Sequence, residues 1–148
     1  MTGVQTCALP IYIEPTDPAC PLSFEVFWDG VTQAHCFHVR ETEYVEIYLD
    51  DTHEAEHELQ IVMSGKTQDH TKLDSDGNII QDALLNINSM SIDEVDITSL
   101  LYQLATYTHD FNGTSDSRRF PFYGSMGCNG TVSFKFSTPY YLWLLENM

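Results

Sequence analysis

The chain is short of positive charge. Only 6 Lys and Arg stand against 22 Asp and Glu in 148 residues, a formal charge of −16. So acidic a surface repels phosphate backbones, which excludes direct nucleic-acid binding, and it is equally unsuited to anionic lipid. Long apolar runs are missing too: nothing approaches the ~18 residues of a membrane span. There is no internal repeat, linker or low-complexity tract. At 43% hydrophobic and 12% aromatic, the chain still has ample material for one core.

Signature motifs of catalysis are also absent. No G-x-S-x-G elbow occurs. Ser64-Gly65-Lys66-Thr67 has the end of a phosphate loop, but Gln60 stands where its first glycine belongs, so Gly65 is read as a bend. Asn112-Gly113-Thr114 and Asn129-Gly130-Thr131 match glycosylation sequons and are read as turns.

Residues 1–11, MTGVQTCALPI, have the outline of a secretion signal without its positive charge or a long enough apolar stretch. The string resembles the conceptual translation of a sequencing adapter fused to metagenomic reading frames. The resemblance implies that residues 1–11 are non-native and dispensable, that the true start lies elsewhere, and that one domain covers 12–148. Cys20, Cys36 and Cys128 then remain, an odd number at wide spacing that builds neither a disulfide framework nor a zinc pattern. Buried reduced thiols are the plainer expectation, with a Cys20–Cys128 pair as the alternative.

What is present reads as strands. From Ser23 the chain alternates with a period of two, with Phe24, Val26 and Trp28 on one face. Asp29-Gly30 marks a hairpin to a partner over 34–40. Further strands are predicted over 44–49, 58–64, 83–92, 120–123, 131–137 and 140–145. The last is apolar on both faces and is predicted to be a central strand covered on both sides, or one that ends against a partner. Within 83–92 the alternation groups Leu85, Ile87 and Ser89 on one face. Ile97, Leu100, Leu101 and Leu104 form a stripe that predicts one short helix near 97–105, capped by Asp96 or Thr98. Short strands separated by frequent turns predict an all-β antiparallel sandwich or jelly roll.

Few residues stand out as ligands. Asp74-Ser75-Asp76-Gly77-Asn78, with Asp82 nearby, offers clustered hard oxygens; Asp74, Asp76, Asn78 and Asp82 are the candidate calcium set. The glycine spacing is not that of an EF-hand, and a solvated β-turn explains the same residues. His35 and His38 fall on opposite faces of a strand, and His53 and His57 read as an exposed loop. Eight acids between Glu41 and Glu58 read as a solvated face rather than a glycosidase pair. Trp28, Tyr44, Tyr48, Tyr107, Tyr123, Tyr140, Tyr141 and Trp143 are available for a sugar-stacking platform, or for core and intersubunit packing.

Three tracts, HELQIVMSGKTQDHT (57–71), DGNIIQDALLNINSMSIDEVDI (76–97) and FYGSMGCNGTVSFKFSTPYYLWLLENM (122–148), resemble small proteins of marine, cyanophage-like tailed phages. That group is carbohydrate-binding-module-like and built on β-sandwiches. The resemblance spans about residues 20–148 and carries no catalytic or ligand residues across. It implies a non-enzymatic virion, tail or fibre accessory protein, found in the virion or in host cytoplasm during assembly. Its partners are expected to be other virion proteins or itself. The alternative is a carbohydrate-binding module, with or without calcium, and a hydrolase ranks third.

Overall fold

The structure, a computed structural model, describes residues 6–147. Thirteen strands and two helices follow in order: β1 (Thr6–Pro15), β2 (Ser23–Trp28), β3 (Val31–Cys36), β4 (Glu43–Asp50), β5 (Ala55–Ser64), β6 (Thr71–Leu73), β7 (Ile79–Asp82), β8 (Leu85–Ile92), β9 (Val95–Asp96), α1 (Thr98–Leu104), β10 (Thr106–His109), β11 (Arg118–Pro121), β12 (Ser125–Met126), β13 (Gly130–Thr138) and α2 (Tyr140–Asn147). One sheet runs β12-β8-β1-β4, with β9 paired to β8; the other runs β11-β10-β13-β5-β2-β3; β6 and β7 make a separate hairpin. The chain folds as an all-β antiparallel sandwich.

The alternation read from the sequence supplies the core. Phe24 and Val26 of β2, Leu59, Ile61 and Met63 of β5, and Val132, Phe134 and Phe136 of β13 point inward from the six-stranded sheet. Val45, Ile47 and Leu49 of β4 and Leu85 and Ile87 of β8 face them from the other. At Asp29-Gly30 both residues have positive φ, 49° and 82°, which matches the right-handed twist of the β2–β3 hairpin. The chain bends at Gly65 because only glycine fits: φ is +91°, and a Cβ there would lie 2.2 Å from the Pro21 carbonyl oxygen.

Four expectations need correction. Residues 6–11 lie inside the domain. They form most of β1, the strand between β4 and β8, and Cys7, Leu9, Ile11 and Ile13 are buried. Pro10 is accommodated because β1 pairs with β8 only from Ile11 onward. Residues 1–5 lie outside the described residues.

The predicted strand over 140–145 is instead α2. Its apolar residues are sorted with helical spacing: Trp143 and Leu144 are buried and Tyr140 packs on the core, while Tyr141, Leu142 and Leu145 are exposed. Pro139 ends β13, and the buried Asp51 carboxylate accepts the Tyr140 N–H at 2.7 Å, serving a donor left free at the helix start. A run apolar at every position satisfies either period, so alternation alone misassigns it.

In β8 a register shift between Tyr12 and Ile13 of β1 leaves Asn88 without an opposite residue. The inward face therefore passes from Leu85 and Ile87 to Met90 and Ile92, and Ser89 does not join the core. Finally, α1 occupies the expected place, but no side chain caps it from the N-cap position, Ile97. Asp96 instead accepts the Thr98 N–H at 2.9 Å, one residue early.

Candidate functional site

The open end of the six-stranded sheet carries an aromatic and acidic cleft. The β5–β13 register sets His57 opposite Phe136, Glu58 opposite Lys135 and Glu56 opposite Ser137. Trp28, the last residue of β2, stacks on the His57 ring at 4.9 Å between centroids and 22° between planes. Trp143 reaches in from α2 to within 5.6 Å of Phe136. Between these elements lies a cleft of about 460 Å³, walled by Asp29, Glu56 and Glu58 on one hand and by Phe136, Ser137 and Trp143 on the other. A second hollow of about 390 Å³ continues past Glu56 and Trp143 to Pro139 and Glu146.

Hydrogen bonds fix the cleft's polar wall. One Asp29 carboxylate oxygen accepts the Glu58 N–H at 2.8 Å, and the other lies 2.7 Å from His57 Nδ1. The other ring nitrogen of His57 lies 3.2 Å from Thr138 Oγ1. Glu58 accepts the Ser133 hydroxyl at 2.7 Å. The aromatic edges are tilted, with Phe136 and Trp143 at 57° and His57 and Phe136 at 52°, and carboxylate acceptors are held beside them. Aromatic carbon next to fixed acceptors suits a neutral polyhydroxylated ligand, whose hydroxyls donate.

The calcium candidates are not brought together as ligands. Asp74 spends its carboxylate within its own turn, accepting the Asp76 and Asn78 N–H groups, each at 2.9 Å. These bonds hold the Asp74 carboxyl below the usual carboxylate range. Asp82 sits at the other end of the β6–β7 hairpin, opposite Thr71. It accepts Lys66 Nζ at 2.5 Å and the Thr71 hydroxyl at 2.6 Å. Among the described residues no cluster of three or more His, Cys, Asp or Glu side chains is placed to hold a metal. Among the described residues, Asp74, Asp76, Asn78 and Asp82 are therefore not assembled as a calcium site.

Sequence reasoning missed two features here. His57 lies in β5, not in an exposed loop, and its side chain is only 14% exposed. Lys66, set aside with the false phosphate loop, is a buried structural cation. Its side chain is 1% exposed and donates to Asp82 and to the Gly127 carbonyl, while Asn129 bonds both its backbone N–H and its carbonyl. A lone lysine gives no sequence signal of burial, since its partners lie 16 and 61 residues away.

The other candidates are dispersed. His35 and Phe37 pack with their rings tilted by 57° at an exposed corner, and His38 bonds the Pro18 carbonyl. The Tyr107 hydroxyl is committed to the Cys128 backbone, and Tyr140 bonds Asp93. The cysteines are free thiols. Trp143 lines the cleft and Trp28 packs on His57 and Phe136 beside it, whereas Tyr44 and Tyr48 stand on β4, in the other sheet.

No protein-family model matches the chain, and no curated protein matches it. Solved structures do. The fold is shared with vCBM60. Its selenomethionine form, described in work on circular permutation between two families of calcium-dependent carbohydrate binding modules, has a TM-score of 0.51 at 8% identity, covering 86% of this chain and 89% of that one. vCBM60 in complex with galactobiose has a TM-score of 0.47 at 11% identity, covering 86% and 96%. No helix among the described residues is long and apolar enough to cross a membrane.

Proposed function

We propose that this chain is a non-catalytic carbohydrate-binding module, with the Trp143–Phe136–His57 cleft as its sugar site. The observation that carries the reading is a cleft lined together by the aromatic His57, Phe136 and Trp143 and the acidic Asp29, Glu56 and Glu58. The shared sandwich with vCBM60 supports it and favours this alternative over the virion-accessory reading. Asp29 and Glu58 are engaged as acceptors in the bonds that shape the rim, which suits recognition of hydroxyls rather than proton transfer to a glycosidic oxygen. The excess of carboxylates selects against uronic-acid and sulfated polymers, because the cleft supplies Lys135 as its one cation among the described lining residues.

Both tryptophans of the sequence bear on the cleft, Trp143 as lining and Trp28 through His57. Intrinsic fluorescence therefore reports its occupancy. A panel of neutral oligosaccharides titrated against tryptophan emission, alongside a glycan array, should identify a ligand that shifts the spectrum. Glu56→Ala should weaken that ligand without changing the melting temperature. A complete absence of response across both panels would overturn the reading.

A further inference from the structure

The outer face of the five-stranded sheet carries a second set of groups that the cleft does not use. On β4, Val45, Ile47 and Leu49 enter the core, so Tyr44, Glu46 and Tyr48 project the other way. On β1, Tyr12 is paired with Tyr44 across the ladder, and their rings lie 5.0 Å apart. Tyr12, Tyr44 and Tyr48 are 42%, 49% and 66% exposed, although each is large and flat. A core-forming strand does not need three such rings outside, and a solvated sheet face ordinarily carries charges and short polar groups.

The polar groups around the rings are organised. Glu46 accepts the Tyr44 hydroxyl, and the phenols of Tyr44 and Tyr48 together hold its carboxyl below the usual range. Those contacts push the Tyr44 phenol up to about 12. Further along, the Asn88 amide donates to Glu14 at 2.5 Å, and Ser125 donates to Asn86 at 2.6 Å. No lysine or arginine occurs in β1, β4, β8 or β12. From Ala8 to Glu14 the strand spans roughly 20 Å at its usual rise. The face is thus aromatic and rich in carboxylate, amide and hydroxyl groups, and its strands carry no lysine or arginine.

We infer that this Tyr12–Tyr44–Tyr48 face is a second glycan surface, fitted to the extended chain of a neutral polysaccharide. Stacked pyranose rings match the tyrosines, and equatorial hydroxyls match Glu46, Glu14 and Asn88. The carboxylates make an anionic polymer a poor occupant. The inference rests on the carbohydrate reading above, but it names a different surface and a polymeric rather than an oligomeric ligand. Two surfaces on one small domain raise the apparent affinity for a polymer through effective concentration, provided that one chain or matrix reaches both.

The test pairs two readouts. Binding to insoluble neutral polysaccharides (cellulose, insoluble xylan and mannan) is measured by depletion, and cleft occupancy by tryptophan fluorescence with soluble oligosaccharides. The triple variant Tyr12→Ala/Tyr44→Ala/Tyr48→Ala should lose about tenfold or more of its polymer affinity while keeping the fluorescence response and an unchanged fold by circular dichroism. Tyr44→Phe/Tyr48→Phe, which keeps the rings and the fold, should lose less. Polymer binding that survives the triple variant overturns the second surface, as does a wild-type protein that answers oligosaccharides but ignores all three polymers. A wild-type protein that answers neither overturns both readings. If the triple variant instead converts a dimer to a monomer in sedimentation without changing polymer binding, the face is a self-association surface and the inference fails.

Discussion

Removing the N-terminal strand is the most demanding perturbation of this fold. Leu9 and Ile11 are completely buried and Cys7 nearly so, all on the inward face of β1. Burial of the two aliphatic side chains contributes about 3–6 kcal/mol together. The topology adds to this. Among the described residues β4 pairs in its sheet only with β1, so a chain starting at Tyr12 leaves most of β4 without a neighbour and exposes Val45, Ile47 and Leu49. Against a total stability of roughly 5–15 kcal/mol, the truncated chain should be unfolded or insoluble at room temperature. A milder version avoids total loss: Leu9→Ala should cost about 2–5 kcal/mol, lowering the melting temperature by roughly 5–15 °C. Ala8→Ser, on the outward face of the same strand, should change stability by less than about 0.5 kcal/mol. Circular-dichroism melts and urea titrations of the three chains make the comparison. A soluble chain beginning at Tyr12 that melts within a few degrees of the full one would refute the placement of β1. It would also restore the expectation that residues 1–11 are dispensable.

Three further outcomes follow from particular contacts. Lys66→Ala should destabilise by about 3 kcal/mol in urea unfolding, because it leaves Asp82 without its buried cation; Lys66→Met, which keeps the volume, should lose no more than Lys66→Ala, and a neutral Lys66→Ala would refute the pairing. Burial among Tyr107, Phe111 and Phe120 lowers the His109 pKa from 6.5, despite the opposing pull of Asp110. The unfolded chain then takes up the proton first, so this contribution is intact above pH 6.5 and is lost as pH falls towards the folded value. Thermal melts between pH 7.5 and 5.5 should therefore show a smaller drop in His109→Gln than in the wild type, and equal slopes would disprove the assignment. Calcium at millimolar concentration should leave the melting temperature within about 1 °C of the chelated sample, since a ligand that binds only the folded state raises it; a rise of several degrees would show that Asp74 or Asp82 gives up its internal partners.

The period-two pattern of β2, β4, β5 and β13 was legible in the sequence because one face of each is buried and the other wet, and only one pleat register satisfies both. The hairpin at Asp29-Gly30 and the stripe Ile97–Leu100–Leu101 were legible for the same kind of local reason. Tyr140–Leu145 was not, since a segment apolar throughout fits a strand or a helix, and the contacts that seat the helix are long-range, such as Asp51, 89 residues away, accepting the Tyr140 N–H. The role of residues 6–11 was decided by the neighbours of β1, not by its composition. In β8, Ser89 gave way to Met90 through a bulge that only the pairing with β1 reveals. The cleft is the plainest case. Trp28, His57, Phe136 and Trp143 come from three strands and a helix, and nothing in their spacing announces that they meet. Composition and periodicity determine which face of each strand is apolar, because those are properties of neighbouring residues. Which strands lie side by side, and therefore which side chains share a cleft, is decided by long-range pairing that local sequence does not encode.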